Sequence, residues 1–125
     1  MRIIKFKGKR ETDGEWIYGD FFRNRGLSFI AADGLVENPL ANWRDYNVRP
    51  ETVCQFTGLV DACGNEIYDG DLLSEVDTDK VVEVLYCAPE FCFKPNEHGY
   101  VFLNHPENFE VIGNIFDNQH LRKGE

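Results

Sequence analysis

An all-β fold is predicted, and three features of the sequence predict it. Apolar and polar residues alternate with a period of two along several short runs, glycine- and aspartate-rich turn chemistry separates the runs, and helical periodicity is almost absent. Arg2 to Lys7 places Ile4 and Phe6 on one face of a first strand. Thr12-Asp13-Gly14 then supplies a turn and Glu15-Trp16-Ile17-Tyr18 returns, so the chain opens on a hairpin. Asp20 to Phe22 and Leu27 to Ala31 are two further strands joined through Asn24-Arg25-Gly26. Asp33-Gly34, Asn38-Pro39 and Arg49-Pro50 break any long element between positions 32 and 50, which places a domain boundary there.

From Thr52 the pattern tightens. Thr52 to Thr57 is β-branched and aromatic, Asp61-Ala62-Cys63-Gly64-Asn65 is a turn, and Glu66-Ile67-Tyr68 leads into Asp69-Gly70-Asp71. Leu72 to Val76 is joined through Asp77-Thr78-Asp79 to Lys80 to Tyr86, whose continuous apolar run predicts burial on both faces. Phe91-Cys92-Phe93 and Tyr100 to Leu103 flank a loop from Lys94 to Gly99 whose tip is His98-Gly99. Phe109 to Ile112 is the last strand, and the tail from Asp117 reads as a helical turn. Short strands this close together fit a small closed barrel better than an open sheet, because closure removes exposed edges. The expected organisation is a β-hairpin or meander over 1–49, a small barrel over 50–117 and a tail over 118–125.

A chain of 125 residues makes one domain, or a small domain with an appended piece. It hides roughly two-thirds of its extended surface on folding, enough to fold without metal or disulfides. With 42% apolar and 14% aromatic residues it is too apolar to remain disordered. The longest uncharged apolar stretches are far shorter than the roughly twenty residues of a spanning helix, so no membrane association is expected. Met1-Arg2-Ile3-Ile4-Lys5-Phe6-Lys7 has no apolar segment after it, which argues against export and for the cytoplasm, with the four cysteines as reduced thiols.

The net charge of −9 opposes non-specific attraction to phosphate backbones. Its distribution is uneven: residues 1–49 hold nine Lys/Arg against seven Asp/Glu, whereas residues 50–125 hold four against fifteen. Seven acids and no base stand between Asp61 and Asp79, while Arg2, Lys5, Lys7, Lys9 and Arg10 make the first ten residues purely basic. Solvated, charged sheet edges explain such runs most simply. A sharper reading has one half docking on the other, within a chain or between protomers.

Val48-Arg49-Pro50-Glu51-Thr52-Val53-Cys54-Gln55-Phe56-Thr57-Gly58-Leu59, then Asp61, Gly64 and Glu66-Ile67-Tyr68-Asp69-Gly70-Asp71-Leu72-Leu73, resembles the YopX family of phage and prophage proteins. Phe109-Glu110-Val111-Ile112-Gly113-Asn114-Ile115-Phe116-Asp117-Asn118 is similar to its closing motif, and Lys5-Phe6 with Trp16-Ile17-Tyr18 to its opening. The resemblance spans nearly the whole chain and implies an SH3-like barrel in the C-terminal part with a smaller β-rich N-terminal part. It implies no activity and carries over no catalytic or binding residue. Cys63 stands where relatives commonly have a polar turn residue and Cys54 where glycine is usual, which implies tolerance of small residues. In Tyr68-Asp69-Gly70-Asp71-Leu72-Leu73 the glycine allows an unusual backbone angle, the aspartates can bond local amides and the leucines re-enter the core, so the motif reads as a strand-entry corner. Glu15-Trp16-Ile17-Tyr18-Gly19-Asp20-Phe21-Phe22 echoes it with one residue displaced, as an internal repeat or as reuse of the same turn chemistry.

No constellation of catalytic residues is found. Cys54, Cys63, Cys87 and Cys92, with His98 and His105 downstream, lack the paired spacing of structural zinc. Asp61 to Asn65 looks like a calcium loop, but its glycine comes two positions early and no glutamate stands at the twelfth place. Asp69, Asp71, Asp77 and Asp79 offer weak divalent binding if their turns converge, against the plainer reading of solvated turns. There is no GxSxG elbow, no phosphate-cradling loop and no GxGxxG, so no enzyme activity and no cofactor are expected. Arg2, Lys5, Lys7, Lys9 and Arg10 with Phe6 and Trp16 form a candidate basic, stacking surface for nucleic acid, or the cations are simply the wet face of an amphipathic strand, alternating with Ile4 and Phe6. The acidic stretch 61–79 offers the opposite idea, imitation of a phosphate backbone. The sequence thus reads as a cytoplasmic, non-enzymatic phage or prophage accessory protein that binds a protein partner, itself included. A nucleic-acid-binding module using the basic hairpin is the alternative.

Overall fold

The amino-terminal hairpin forms as its alternation dictates, displaced by a few residues. A computed structural model describes residues 4–31, 43–78, 80–87, 90–96, 99–102 and 105–118. The expectations for Asp33-Gly34, Asn38-Pro39, Asp79, His98 and the tail beyond Asn118 lie outside the described residues. Among the described residues every longer element is a strand, and the others are three-residue 3-10 turns at Trp43–Asp45, Pro50–Thr52 and Pro106–Asn108. The chain divides into two units, Met1–Phe56 and Thr57–Glu125.

In the first unit β1 (Phe6–Lys9) pairs antiparallel with β2 (Trp16–Asn24), and β2 with β3 (Leu27–Ala31). Trp16 to Tyr18 and Asp20 to Phe22, expected as separate strands, are one nine-residue strand. Gly19 is no turn here: it lies opposite Phe6 in the ladder, and the pairing on both sides holds the chain extended through it. β2 passes to β3 through Arg25 and Gly26, with Asn24 opposite Leu27. Both loop residues have positive φ, 52° and 79°, which is the two-residue hairpin turn whose twist matches its strands. β4 (Asn47–Val48) adds to β3 in the segment the sequence marks as irregular. β5 (Cys54–Val60) pairs with β1 through Cys54 and Gln55 and then continues into the second unit. The division between the two units therefore falls inside β5.

The first sheet is drawn back on itself at one point. Arg10 bridges to Val48, the Arg49 N–H donates to the Lys9 carbonyl at 2.8 Å and the Glu11 N–H to the Asn47 carbonyl at 2.9 Å. The Thr52 hydroxyl accepts from the Lys9 N–H at 2.8 Å and donates to the Arg49 carbonyl at 2.7 Å. Gly8 lies at this approach: a β-carbon there would stand 3.0 Å from Ile30 Cδ1 and 3.3 Å from Val48 Cβ. Ile30 and Val48, each 1% exposed, form the core of the unit with Phe29 and Ala31.

The second unit contains β6 (Glu66–Tyr68), β7 (Asp71–Glu75), β8 (Val81–Cys87), β9 (Glu90–Asn96), β10 (Gly99–Phe102) and β11 (Phe109–Asn114). β6 is bonded to β5, and the other five form a second sheet in the order β10-β9-β8-β7-β11. Ile67, Leu73, Val84, Phe91 and Phe109 make its buried core, with Leu59, Val82 and Val111 packed against them. Each such side chain contributes about 1.5–3 kcal/mol by leaving water. Burial on both faces of β8 holds only around Glu83 and Val84, since Tyr86 is 48% exposed. Among the described residues no ladder joins β10 to β11, so the closed cylinder expected for residues 50–117 is not completed by strand pairing. The two sheets are antiparallel and open.

The Arg25 backbone gives a direct test of the hairpin turn. A left-handed angle costs an ordinary side chain about 1–2 kcal/mol and asparagine less. Arg25→Asn is expected to raise unfolding stability by about 0.5–1 kcal/mol and Arg25→Val to lower it by about 1 kcal/mol, read from urea denaturation.

Candidate functional site

Strand alternation carries Lys5, Lys7 and Lys9 to one face of the first sheet, opposite Phe6, whose ring lies 5.6 Å from that of Phe21. The register sets Lys9 against Trp16 and Lys7 against Tyr18 on one side and Cys54 on the other. Lys7 Nζ lies 4.7 Å and Lys9 Nζ 5.5 Å from the Trp16 ring centre, and Lys5 Nζ 5.2 Å from that of Phe56. Lys5, Lys7, Lys9 and Trp16 of the predicted cluster therefore share a face while Phe6 does not, and that face is not a wet one. Lys7 is only 7% exposed, and Lys5, Lys9 and Trp16 are half-buried. Contacts of this kind are worth about 0.5 kcal/mol when exposed and about 2 kcal/mol when desolvated, so the aromatics hold these cations within the fold.

The acidic candidates do not converge. Asp69 and Asp71 sit at the corner between β6 and β7, where Asp71 is 2% exposed and its Oδ2 accepts the Tyr68 N–H at 2.8 Å. Gly70, with φ 84°, donates its N–H to the Val84 carbonyl at 2.8 Å, and its carbonyl accepts the Ile115 N–H at 2.9 Å. Asp77 stands beyond the opposite end of β7, in the exposed turn toward β8, and Asp79 lies outside the described residues. Among the described residues no group of three or more His, Cys, Asp or Glu can hold a metal ion. The resemblance of Glu15 to Phe22 and Glu66 to Leu73 does not extend to geometry: Gly19 runs within β2, whereas Gly70 breaks β6 from β7.

The closing motif locks onto that corner. Asn114 Oδ1 accepts the N–H groups of Phe116 and Asp117 at 2.9 Å each, and the Asn114 N–H donates to Asn118 Oδ1 at 3.2 Å. A β-carbon on Gly113 would land inside the Asn118 side chain. β11 pairs with β7 so that Asn114 faces Asp71 and Gly113 faces Leu72. The two motifs singled out in the sequence are thus neighbouring strand ends, with their polar groups turned on the backbone.

One residue that sequence reasoning passed over organises this unit. Asp61, 4% exposed, accepts four hydrogen bonds: Cys63 N–H at 2.9 Å and Asn65 N–H at 2.8 Å on Oδ1, Asn65 Nδ2 at 3.2 Å and Val111 N–H at 2.8 Å on Oδ2. The Ala62 N–H donates to the Phe109 carbonyl at 2.9 Å, so the end of β5 lies along β11. Burial pushes the Asp61 carboxyl up, but the amides of Val111, Asn65 and Cys63 outweigh it and hold the group below its usual 3.8. Its signal in the sequence was the aspartate opening a turn that ends in Gly-Asn, read as a turn and as a failed calcium loop but not followed to a partner. Neighbouring Cys63 is exposed, and the charge of Glu110, together with partial burial, pushes its thiol up, which suppresses the nucleophilic thiolate. Cys54 is buried, with its thiol on the Thr52 carbonyl at 3.2 Å.

The model of the YopX protein family matches residues 5–122. The chain belongs to the YopX family. No curated protein matches it. The crystal structure of protein EF1440 from Enterococcus faecalis is similar to it with a TM-score of 0.57 and 22% identity, covering 97% of this chain and 99% of that one. At that identity the likeness is one of fold. The YopX motifs resolve here into a corner, a capped strand end and a carboxylate-bound turn.

Two measurements check these assignments. Asp61→Asn is expected to cost about 2–3 kcal/mol in urea unfolding, because charge-assisted bonds to buried amides are lost. The folded carboxyl lies below 3.8, so the unfolded chain takes up the proton first; this stabilisation is complete well above pH 3.8 and declines as pH falls through the folded value, a decline the variant lacks. Glu110→Gln is expected to speed alkylation of Cys63 by iodoacetamide at pH 8 by roughly three- to tenfold, since the thiolate fraction follows the pKa.

Proposed function

We propose that this YopX protein is a non-enzymatic accessory protein of phage or prophage origin which binds a protein partner, a second copy of itself included, through its acidic unit. The observation that carries the reading is the surface of residues 57–125. Val60, Val76, Tyr86 and Ile112 are 37–56% exposed on a unit with four Lys/Arg against fourteen Asp/Glu. Exposed large apolar side chains among charges are the chemistry of a partner surface, with charge selecting the partner. The engagement of the buried acids and thiols supports a non-enzymatic role. Asp61 and Asp71 bind backbone amides, the Cys63 thiol is raised and Cys54 is buried.

The second unit reads as an opened SH3-like arrangement. The support is the course of β5 beside β11, where the Ala62 N–H reaches the Phe109 carbonyl and Asp61 takes the Val111 N–H. A cytoplasmic setting fits the free thiols of Cys54 and Cys63, and no helix among the described residues is long and apolar enough to cross a membrane. The nucleic-acid alternative is less favoured. Lys7 is 7% exposed, and the Trp16 ring that would stack on a base carries the ammonium groups of Lys7 and Lys9.

Sedimentation equilibrium over a range of concentrations, at low and high salt, tests the self-association. The average mass is expected to rise with concentration, more steeply at high salt, which screens the acidic surface, and to rise less for Tyr86→Asp. A monomer at every concentration and salt would remove the second copy. A pull-down from phage-infected lysate that retains nothing sensitive to Tyr86→Asp would then remove the partner.

A further inference from the structure

We propose that the turn between β2 and β3 of one chain docks on the acidic unit of a second copy, with the guanidinium groups of Arg23 and Arg25 on surface carboxylates and Leu27 in apolar contact. This rests on the reading that the acidic unit binds a second copy, and it names the part of that copy which reaches it. Most described cations of the first unit are already engaged. Lys5, Lys7 and Lys9 lie on aromatic rings and Arg10 on Asp13; Arg49 Nε is 3.6 Å from Glu11 Oε1, and the Arg44 guanidinium is 4.4 Å from the Trp43 ring centre. Arg23 and Arg25 are the exceptions: among the described residues neither side chain has a hydrogen bond, an ion pair or a ring contact. Residues 23–27 are exposed without a break, Leu27 by 41%. Arg25 also holds φ 52°, a left-handed angle suited to glycine or asparagine. Arginine is a poor choice for the turn itself, so what the position supplies is the guanidinium.

Charge and apolar content select the occupant. A guanidinium binds a carboxylate through two N–H groups, and arginine is a frequent anchor of protein interfaces. Two free arginines followed by an exposed leucine therefore suit carboxylates set among apolar side chains. The second unit carries fourteen Asp/Glu against four Lys/Arg; Asp77 directly follows Val76 and Glu110 stands two residues before Ile112, all four exposed. A nucleic-acid backbone is disfavoured, because two arginines offset little of a net charge of −9. Salt screens the long-range repulsion between two such chains more than it screens a hydrogen-bonded guanidinium–carboxylate contact, so this docking agrees with association that strengthens in salt. Turn to acidic unit is a heterologous contact. Each copy in a pair leaves one partner surface unused, so association continues past the dimer unless a ring closes.

Sedimentation equilibrium of the full chain and of two variants, alone and mixed, tests this. Arg23→Gln with Arg25→Asn removes both guanidinium groups and puts asparagine at the left-handed position, so the turn is kept; Tyr86→Asp damages the acidic unit. Each variant alone is expected to self-associate roughly tenfold more weakly than the unaltered chain, the loss of an interface anchor. Mixed in equal amounts, the intact turn of the second variant meets the intact acidic unit of the first, and a heterodimer that grows no further is expected. Undiminished association of the turn variant would overturn the docking of the turn while leaving the acidic unit as a surface that binds its own copy. Two weakened variants that do not complement each other would overturn it in favour of a symmetric contact. A monomer at every concentration of the unaltered chain would remove this proposal together with the second copy on which it rests. Tighter binding of the unaltered chain to an oligothymidylate than to its own copy, lost in the turn variant, would overturn the assignment in favour of a phosphate backbone.

Discussion

The second unit depends on one carboxylate. Buried backbone amides must find acceptors, and a strand at the end of a sheet has a full row of them without partners. β11 ends the second sheet, and the chain meets its outer side with the Ala62 amide and the Asp61 side chain instead of another strand. Because the same carboxylate binds Cys63 and Asn65 within its own turn, the hairpin from β5 to β6 and the last strand are fixed by a single group. A neutral side chain could satisfy part of this; the negative charge strengthens the bonds to the three backbone amides, at 2.8–2.9 Å.

β5 gives this arrangement its second half. Its first residues pair with β1, Thr57 Oγ1 donates to the Ile67 carbonyl at 2.8 Å, and Gly58 follows with φ 89° and no atom near where a β-carbon would lie. The glycine is thus required by backbone angle alone. It allows one strand to leave the ladder with β1 and begin that with β6 without a loop. A sequence reading that looks for boundaries in proline- and glycine-rich stretches places the boundary in such a stretch, before Thr52. Here the division falls within one strand, beside Gly58.

The same contrast explains what the sequence made legible. Period-two alternation places most strands correctly, because side-chain direction in a strand depends only on parity. β4 is missed since two residues, Asn47 and Val48, carry no period; they are held by Ser28 and Phe29 on β3, which only the folded chain brings near. The split of β2 into two strands follows from treating Gly19 like Gly70, when pairing to β1 keeps one extended and the Val84 and Ile115 bonds bend the other. Lys5, Lys7, Lys9 and Trp16 were correctly grouped on one face, but burial of that face cannot be read from local pattern. Asp61 was visible as a turn residue, whereas its bond to Val111 joins positions fifty apart.

Charge in this protein is therefore a poor guide to its working surface unless each group is followed to its partner. Of the acids between Asp61 and Asp79, Asp61 and Asp71 are buried on amides, and Glu75 accepts the Thr78 hydroxyl at 2.7 Å. Of the basic run, Lys5, Lys7 and Lys9 lie on aromatic rings and Arg10 on Asp13. Two runs that look like opposed binding surfaces are largely the polar fastening of two small units, since units of this size have few core residues and must draw stability from bonded polar groups as well. What such fastening leaves over among the described residues includes the exposed apolar side chains of the acidic unit, on which the proposed partner surface rests.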